Sequence, residues 1–165
     1  MYRTLTLVLF TLLSTSAMAQ SAIKIAYYGE SITHYGLKAG YERSFANPRW
    51  LYSGNLAVYR HPHNHIGMIA SPEVAWRRTG KKSRMIEAAF APSLFRYFYE
   101  GKTYTINENG SFDRIRLAGR TAFLPTLSVG FGKNMWYGRL NLMRQYPYNA
   151  SSLTRISIEA GIIIK

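Results

Sequence analysis

Arg155-Ile156-Ser157-Ile158-Glu159-Ala160-Gly161-Ile162-Ile163-Ile164 places Ile156, Ile158, Ala160, Ile162 and Ile164 on one side of a two-residue period. Arg155, Ser157, Glu159 and Gly161 fall on the other. Successive side chains of a strand point to opposite faces, so this spacing describes a strand with one apolar face and one polar, charge-bearing face. A helical period would scatter the same residues around the whole element.

The alternation recurs along the chain. Ile23, Ile25 and Tyr27 oppose Lys24, Ala26 and Tyr28, and Tyr35, Leu37, Ala39 and Tyr41 oppose His34, Gly36, Lys38 and Glu42. Trp50, Tyr52, Leu56 and Val58 oppose Ser53, Asn55 and Ala57; Ile66, Met68, Ala70, Pro72, Val74 and Trp76 oppose His65, Ser71, Glu73 and Arg77. Ile86, Ala88, Phe90, Pro92 and Leu94 form a fifth apolar face. Ile115, Leu117, Phe123, Pro125, Leu127, Val129 and Phe131 form a sixth, and Trp136, Leu140 and Leu142 a seventh. Turn-forming residues stand between the runs: Gly29-Glu30-Ser31, Asn47-Pro48, Thr79-Gly80, Asn109-Gly110, Gly132-Lys133-Asn134 and Pro147-Tyr148-Asn149. The reading is all-β with about eight strands.

The N-terminus differs in kind. Met1-Tyr2-Arg3, an apolar run over 5–13 and Ala17-Met18-Ala19 form the positive, apolar and small-residue parts of a signal peptide, with cleavage expected before Gln20. The expected organisation is therefore a signal peptide over 1–19 and one domain over 20–165. The 165 residues carry 21 Lys+Arg against 8 Asp+Glu, a net charge of +13, and no cysteine. Absence of Cys excludes disulfides, thiolate catalysis and Cys-based zinc sites. In an exported chain, excess positive charge points to anionic envelope lipid, with lipopolysaccharide a candidate partner, and not to nucleic acid.

Soluble sandwiches alternate as well. Here the apolar faces are unusually long, aromatics stand near strand ends (Tyr41, Trp50, Tyr52, Trp76, Phe98, Phe131, Trp136), and the polar faces carry both signs of charge. These features predict an antiparallel up-and-down transmembrane β-barrel. The pattern resembles the small eight-stranded outer-membrane barrels of Gram-negative bacteria, over the signal segment and nearly the whole remaining chain. Tyr59-Arg60-His61-Pro62-His63-Asn64-His65 and Gln145-Tyr146-Pro147-Tyr148-Asn149 are similar to segments of such barrels that bring no activity with them. The chain departs from the pattern in ending Ile164-Lys165 where these barrels carry a terminal aromatic. Pro72, Pro92 and Pro125 fall inside strands, where each requires a bulge or a local break in pairing.

Candidate chemistry follows from the polar residues. Arg77, Arg116, Arg120 and Arg155 with Glu42, Glu73, Glu87 and Glu159 would fill the lumen as ion pairs. His61, His63 and His65 would share a face on a continuous strand, but Pro62 interrupts it, and no metal or cofactor is expected. His61-Pro62-His63-Asn64 approximates the His-x-Ser-Asn motif of an outer-membrane lipid A acyl hydrolase, with His63 in place of the serine nucleophile. The catalytic residues of that alternative would be His61, His63 and Glu73. Arg77-Arg78-Thr79-Gly80-Lys81-Lys82-Ser83-Arg84 supplies lipid-phosphate contact candidates in Arg77, Arg78, Lys81, Lys82 and Arg84. The segment 100–111 is the expected exposed recognition loop. The leading expectation is a non-enzymatic outer-membrane barrel with a structural, adhesive or envelope-contact role. The alternatives are the acyl hydrolase and a soluble periplasmic ligand-binding barrel with polar faces outward and an apolar cavity.

Overall fold

A computed structural model describes residues 20–30, 34–107, 109–115, 118–148 and 151–165. The expected signal segment 1–19, together with Ser31, Arg116, Leu117 and Asn149, lies outside the described residues. The period-two runs become β1 (Ser21–Glu30), β2 (His34–Ser44), β3 (Trp50–His61), β4 (His65–Thr79), β5 (Arg84–Tyr99), β8 (Gly119–Lys133), β9 (Trp136–Tyr148) and β10 (Ser151–Ile164). Two further short strands, β6 (Thr103–Ile106) and β7 (Phe112–Ile115), pair only with each other. The eight long strands close in the order β1-β2-β3-β4-β5-β8-β9-β10, and β10 returns to β1 in antiparallel register from Ile23↔Ile164 to Glu30↔Ser157.

The sixth sequence run is divided. Ile115 belongs to β7 and not to the strand carrying Phe123 to Phe131, so the expected single strand is two, separated at the barrel's rim. Alternation persisted across the join by chance of parity, which periodicity alone does not detect.

On the eight strands of the barrel the expected apolar faces point outward. Leu37, Leu56, Leu127, Val129 and Phe131 are among the most exposed large side chains, while Lys24, Glu42, Glu73, Glu87 and Arg139 are buried inside. This is the inverse of the soluble alternative, which required polar faces outward. Aqueous solvent would leave the whole apolar belt unsatisfied; a bilayer covers it, and the closed ladder leaves no strand edge exposed to lipid. Tyr41, Trp50, Tyr52, Trp76 and Trp136 ring one end of the belt on the outer face, with Trp50 directly opposite Trp76.

Inside, Tyr28, Tyr59, Ile69, Phe95, Leu124 and Met143 pack together in the half away from the chain termini. Ala22, Ala26, Met85, Tyr137 and Ile163 pack near the termini. Gly67 faces Tyr59 across β3 and β4, and a Cβ there would overlap the tyrosine ring, so glycine makes room for the largest buried side chain.

The three prolines form a row. Pro92 stands opposite Pro125 in the intact β5–β8 ladder. Between β4 and β5 the register Ala70↔Leu94 resumes at Val74↔Phe90, skipping the level at which Pro72 meets Pro92. Between β8 and β9 it passes from Phe123↔Tyr146 to Thr126↔Met143, skipping Pro125. The register is the same on both sides of each gap, so the local break, and not the bulge, is how the barrel accommodates them. Proline has no N–H to donate, which deletes ladder bonds on the side its nitrogen faces. Behind the gap, Ser93 donates to Ser71 Oγ at 2.8 Å and Thr126 Oγ1 to the Leu124 carbonyl at 2.9 Å.

Leu56, 65% exposed at the middle of β3, discriminates the two solvents. Leu56→Arg is expected to cost about 2–4 kcal/mol of folding free energy in vesicles, read from urea titrations of the folded band. An exposed leucine on a water-soluble barrel would tolerate the change within about 0.5 kcal/mol.

Candidate functional site

Six charges of alternating sign close a ring across the lumen. Lys24 Nζ lies 3.4 Å from Glu42 and 3.3 Å from Glu73. The Arg77 guanidinium donates two bonds to Glu42, at 2.6 and 2.7 Å, and one to Glu87 at 2.6 Å. Arg139 donates to Glu73 at 2.6 Å and to Glu87, completing the circuit. Ser53 Oγ donates to Glu73 as well. Arginine suits this position because its planar fork serves two carboxylates at once.

Two further pairs stand outside the ring. Lys38 meets Glu159 at 2.6 Å, with Asn141 donating to the same carboxylate, and Arg155 meets Glu30 at 2.9 Å. Among the described residues five buried glutamates are thus matched by five cations. The arrangement closes the interior; it provides no aqueous channel, in keeping with the width of an eight-stranded barrel.

All four expected glutamates and Arg77 and Arg155 of the expected ionic core lie in the lumen. Arg120 does not: it is exposed at the barrel mouth, because β8 begins at Gly119 and its first residues lie at the rim. Arg116 lies outside the described residues. Lys24, Lys38, Arg139 and Glu30 complete the network, and sequence reasoning did not single them out. Their positions on the polar faces were a usable signal, since any charge there must find a partner inside. Arg77 faces Glu42 and Glu87, which corrects its place among the lipid-contact candidates. Arg78, Lys81, Lys82 and Arg84 remain exposed around the turn between β4 and β5.

The histidines gather at the mouth away from the termini. His61 and His65 face each other as the last and first residues of β3 and β4, and His63 occupies the intervening turn in the left-handed region (φ 62°). Their spacing is therefore a hairpin turn and not one strand face. His34 stacks on His61 with ring centroids 3.7 Å apart and donates from Nδ1 to the Glu30 carboxylate at 2.7 Å. Tyr97, Tyr99, Arg120 and Arg155 line the same cavity, of about 430 Å3. Among the described residues no group of three or more His, Asp or Glu is arranged to hold a metal. Glu73 is eight residues along β4 from His65, roughly 26 Å at strand rise, and is engaged by Arg139 and Lys24. It does not orient His61 or His63, so the three residues of the acyl-hydrolase alternative are not brought together.

The expected recognition loop is the β6–β7 hairpin. Ile106 faces Phe112 and Tyr104 faces Arg114, which groups Tyr104, Ile106 and Phe112 on one exposed side. At its base Arg60 Nε donates to Glu100 at 2.5 Å, and this bond and charge hold the Glu100 carboxyl below its usual pKa.

Solved structures share this architecture. The N-terminal β-barrel domain of Pseudomonas aeruginosa OprF aligns at TM-score 0.52 and 14% identity, covering 89% of this chain and all of that one. Neisserial surface protein A aligns at TM-score 0.56 and 11% identity, covering 89% of this chain and 95% of that one. No protein-family profile and no curated protein matches the sequence. The likeness is one of fold.

Arg139→Ala should destabilise the barrel by about 3–5 kcal/mol, because it leaves Glu73 and Glu87 charged and buried without their guanidinium. Lys102→Ala, exposed in the connection between β5 and β6, should change stability by less than about 0.5 kcal/mol. Urea midpoints of the folded band in micelles measure both.

Proposed function

We propose that the protein is a non-enzymatic outer-membrane barrel whose role is contact, structural or adhesive, made through the end of the barrel away from its termini. The observation that carries this reading is the combination of a closed, ion-paired lumen with an apolar hairpin held off the barrel. A lumen closed by the charge ring leaves the two ends and the outer surface to act. Exposed Tyr104, Ile106 and Phe112 on a two-stranded hairpin form a patch of the kind that partners cover.

Orientation supports the same reading. The turns at the terminal end, 45–49, 80–83 and 134–135, are short, and the longest connection, 100–118, is at the other end. Bacterial outer-membrane barrels have short periplasmic turns and longer external loops, which favours an outward-facing hairpin. The signal-like N-terminus accords with export, and the fold is that of OprF's barrel domain and Neisserial surface protein A.

Replacing residues 101–117 by a short Gly-Ser connection tests the role. The variant should keep a folded band in the outer-membrane fraction that shifts on boiling, while losing adhesion of expressing cells to neighbouring cells or host surfaces. Ile106→Asp with Phe112→Asp should reproduce that loss with the hairpin length intact. Unchanged adhesion in both variants would remove the hairpin from the function.

A further inference from the structure

We infer that the outer wall near the chain termini carries a binding site for one anionic glycerophospholipid, its acyl chain in a groove over β8, β9 and β10 and its phosphate between Arg84 and Lys133. The inference rests on the membrane placement and orientation proposed above, which put this end in the periplasmic leaflet.

The groove comes from small residues in the wall. Gly138 of β9 stands between Phe131 of β8 and Ala160 of β10, so this level has almost no side chain on two successive strands. A Cβ at Gly138 would lie 3.3 Å from the Phe131 ring, which leans over the glycine. Ile86, Phe131, Leu140 and Ile158 provide the flanks, and the depression has a volume of about 820 Å3, ample for an acyl chain.

The cations stand one pleat nearer the terminal end. Arg84 faces Lys133 directly across β5 and β8, and Lys133 faces Trp136 across β8 and β9. Arg78 lies beside Ile86 on the neighbouring strand. Like charges directly opposite on one face repel, and no salt bridge involves any of the three among the described residues. Five of the eight Asp and Glu side chains are inside the lumen, and the sequence places the other three, Glu100, Glu108 and Asp113, between β5 and β8. A phosphate between Arg84 and Lys133 relieves the repulsion and places its glycerol beside Trp136, an amphipathic ring suited to the interface. The short-turn end selects a glycerophospholipid over lipid A, which occupies the opposite leaflet of such membranes.

Trp136 reports on the site directly. In a Trp50→Phe, Trp76→Phe background it is the remaining tryptophan. The full chain is reconstituted in phosphatidylethanolamine vesicles with rising fractions of acyl-brominated phosphatidylglycerol, phosphatidylcholine or lipid A. Phosphatidylglycerol should quench at about a five-fold lower fraction than phosphatidylcholine for each cation engaged. Arg84→Gln with Lys133→Gln should abolish the preference, and the charge-preserving Arg84→Lys with Lys133→Arg should retain it. Both should keep the boiling-dependent gel shift. Equal quenching by phosphatidylglycerol and phosphatidylcholine, or stronger quenching by lipid A, would overturn the site while leaving the barrel intact. A chain with no gel shift would overturn the membrane reading, and the site with it.

Discussion

The ring Lys24–Glu42–Arg77–Glu87–Arg139–Glu73 constrains everything else in this barrel. Its members come from β1, β2, β4, β5 and β9, so it closes only when those strands hold their registers together. A slip of one residue in any of them would turn a charge into the lipid and an apolar side chain into the lumen. Buried ion pairs contribute little net stability against well-packed apolar substitutes, yet breaking one leaves an uncompensated charge. The ring therefore acts chiefly against wrong registers, which are much worse than the right one. At the proline row of Pro72, Pro92 and Pro125 ladder bonds are missing, but the register continues unchanged.

Internal pairing also decides where the protein's large positive charge can be. With five glutamates matched by Lys24, Lys38, Arg77, Arg139 and Arg155, the remaining cations among the described residues lie at the ends and on the outer surface. The two ends are unlike. The terminal end carries Arg49, Arg78, Lys81, Lys82, Arg84 and Lys133, none of them in a salt bridge among the described residues, whereas the hairpin end mixes both signs and adds apolar residues. The two ends therefore differ in charge and in apolar exposure.

Much of this was legible from spacing. The outward faces of all eight wall strands follow the period-two reading, from Ile23 on β1 to Ile164 on β10, because lipid and lumen impose opposite demands on successive residues. Where spacing misled, the cause was that parity carries no information about distance in space. Ile115 kept step with Phe123 although a rim separates their strands. His61 and His65 matched one face of a strand, but they meet across a turn. Arg77 and Arg78 are adjacent in a basic run, yet one turns inward to glutamates and the other outward.

Local spacing alone tells which residues face lipid and which face inward, that the chain is all-β, and that charged groups inside need partners of opposite sign. These follow from local geometry and from the cost of stranding a charge or an apolar side chain in the wrong medium. Only the tertiary structure decided which glutamate meets which cation, that Arg139 joins Glu73 to Glu87, that the three prolines align, and that Gly138 and Ala160 open a groove beside Arg84 and Lys133. Those relations depend on the register between strands far apart in the chain. Strand pairing sets that register cooperatively around the closed barrel, and no single segment encodes it.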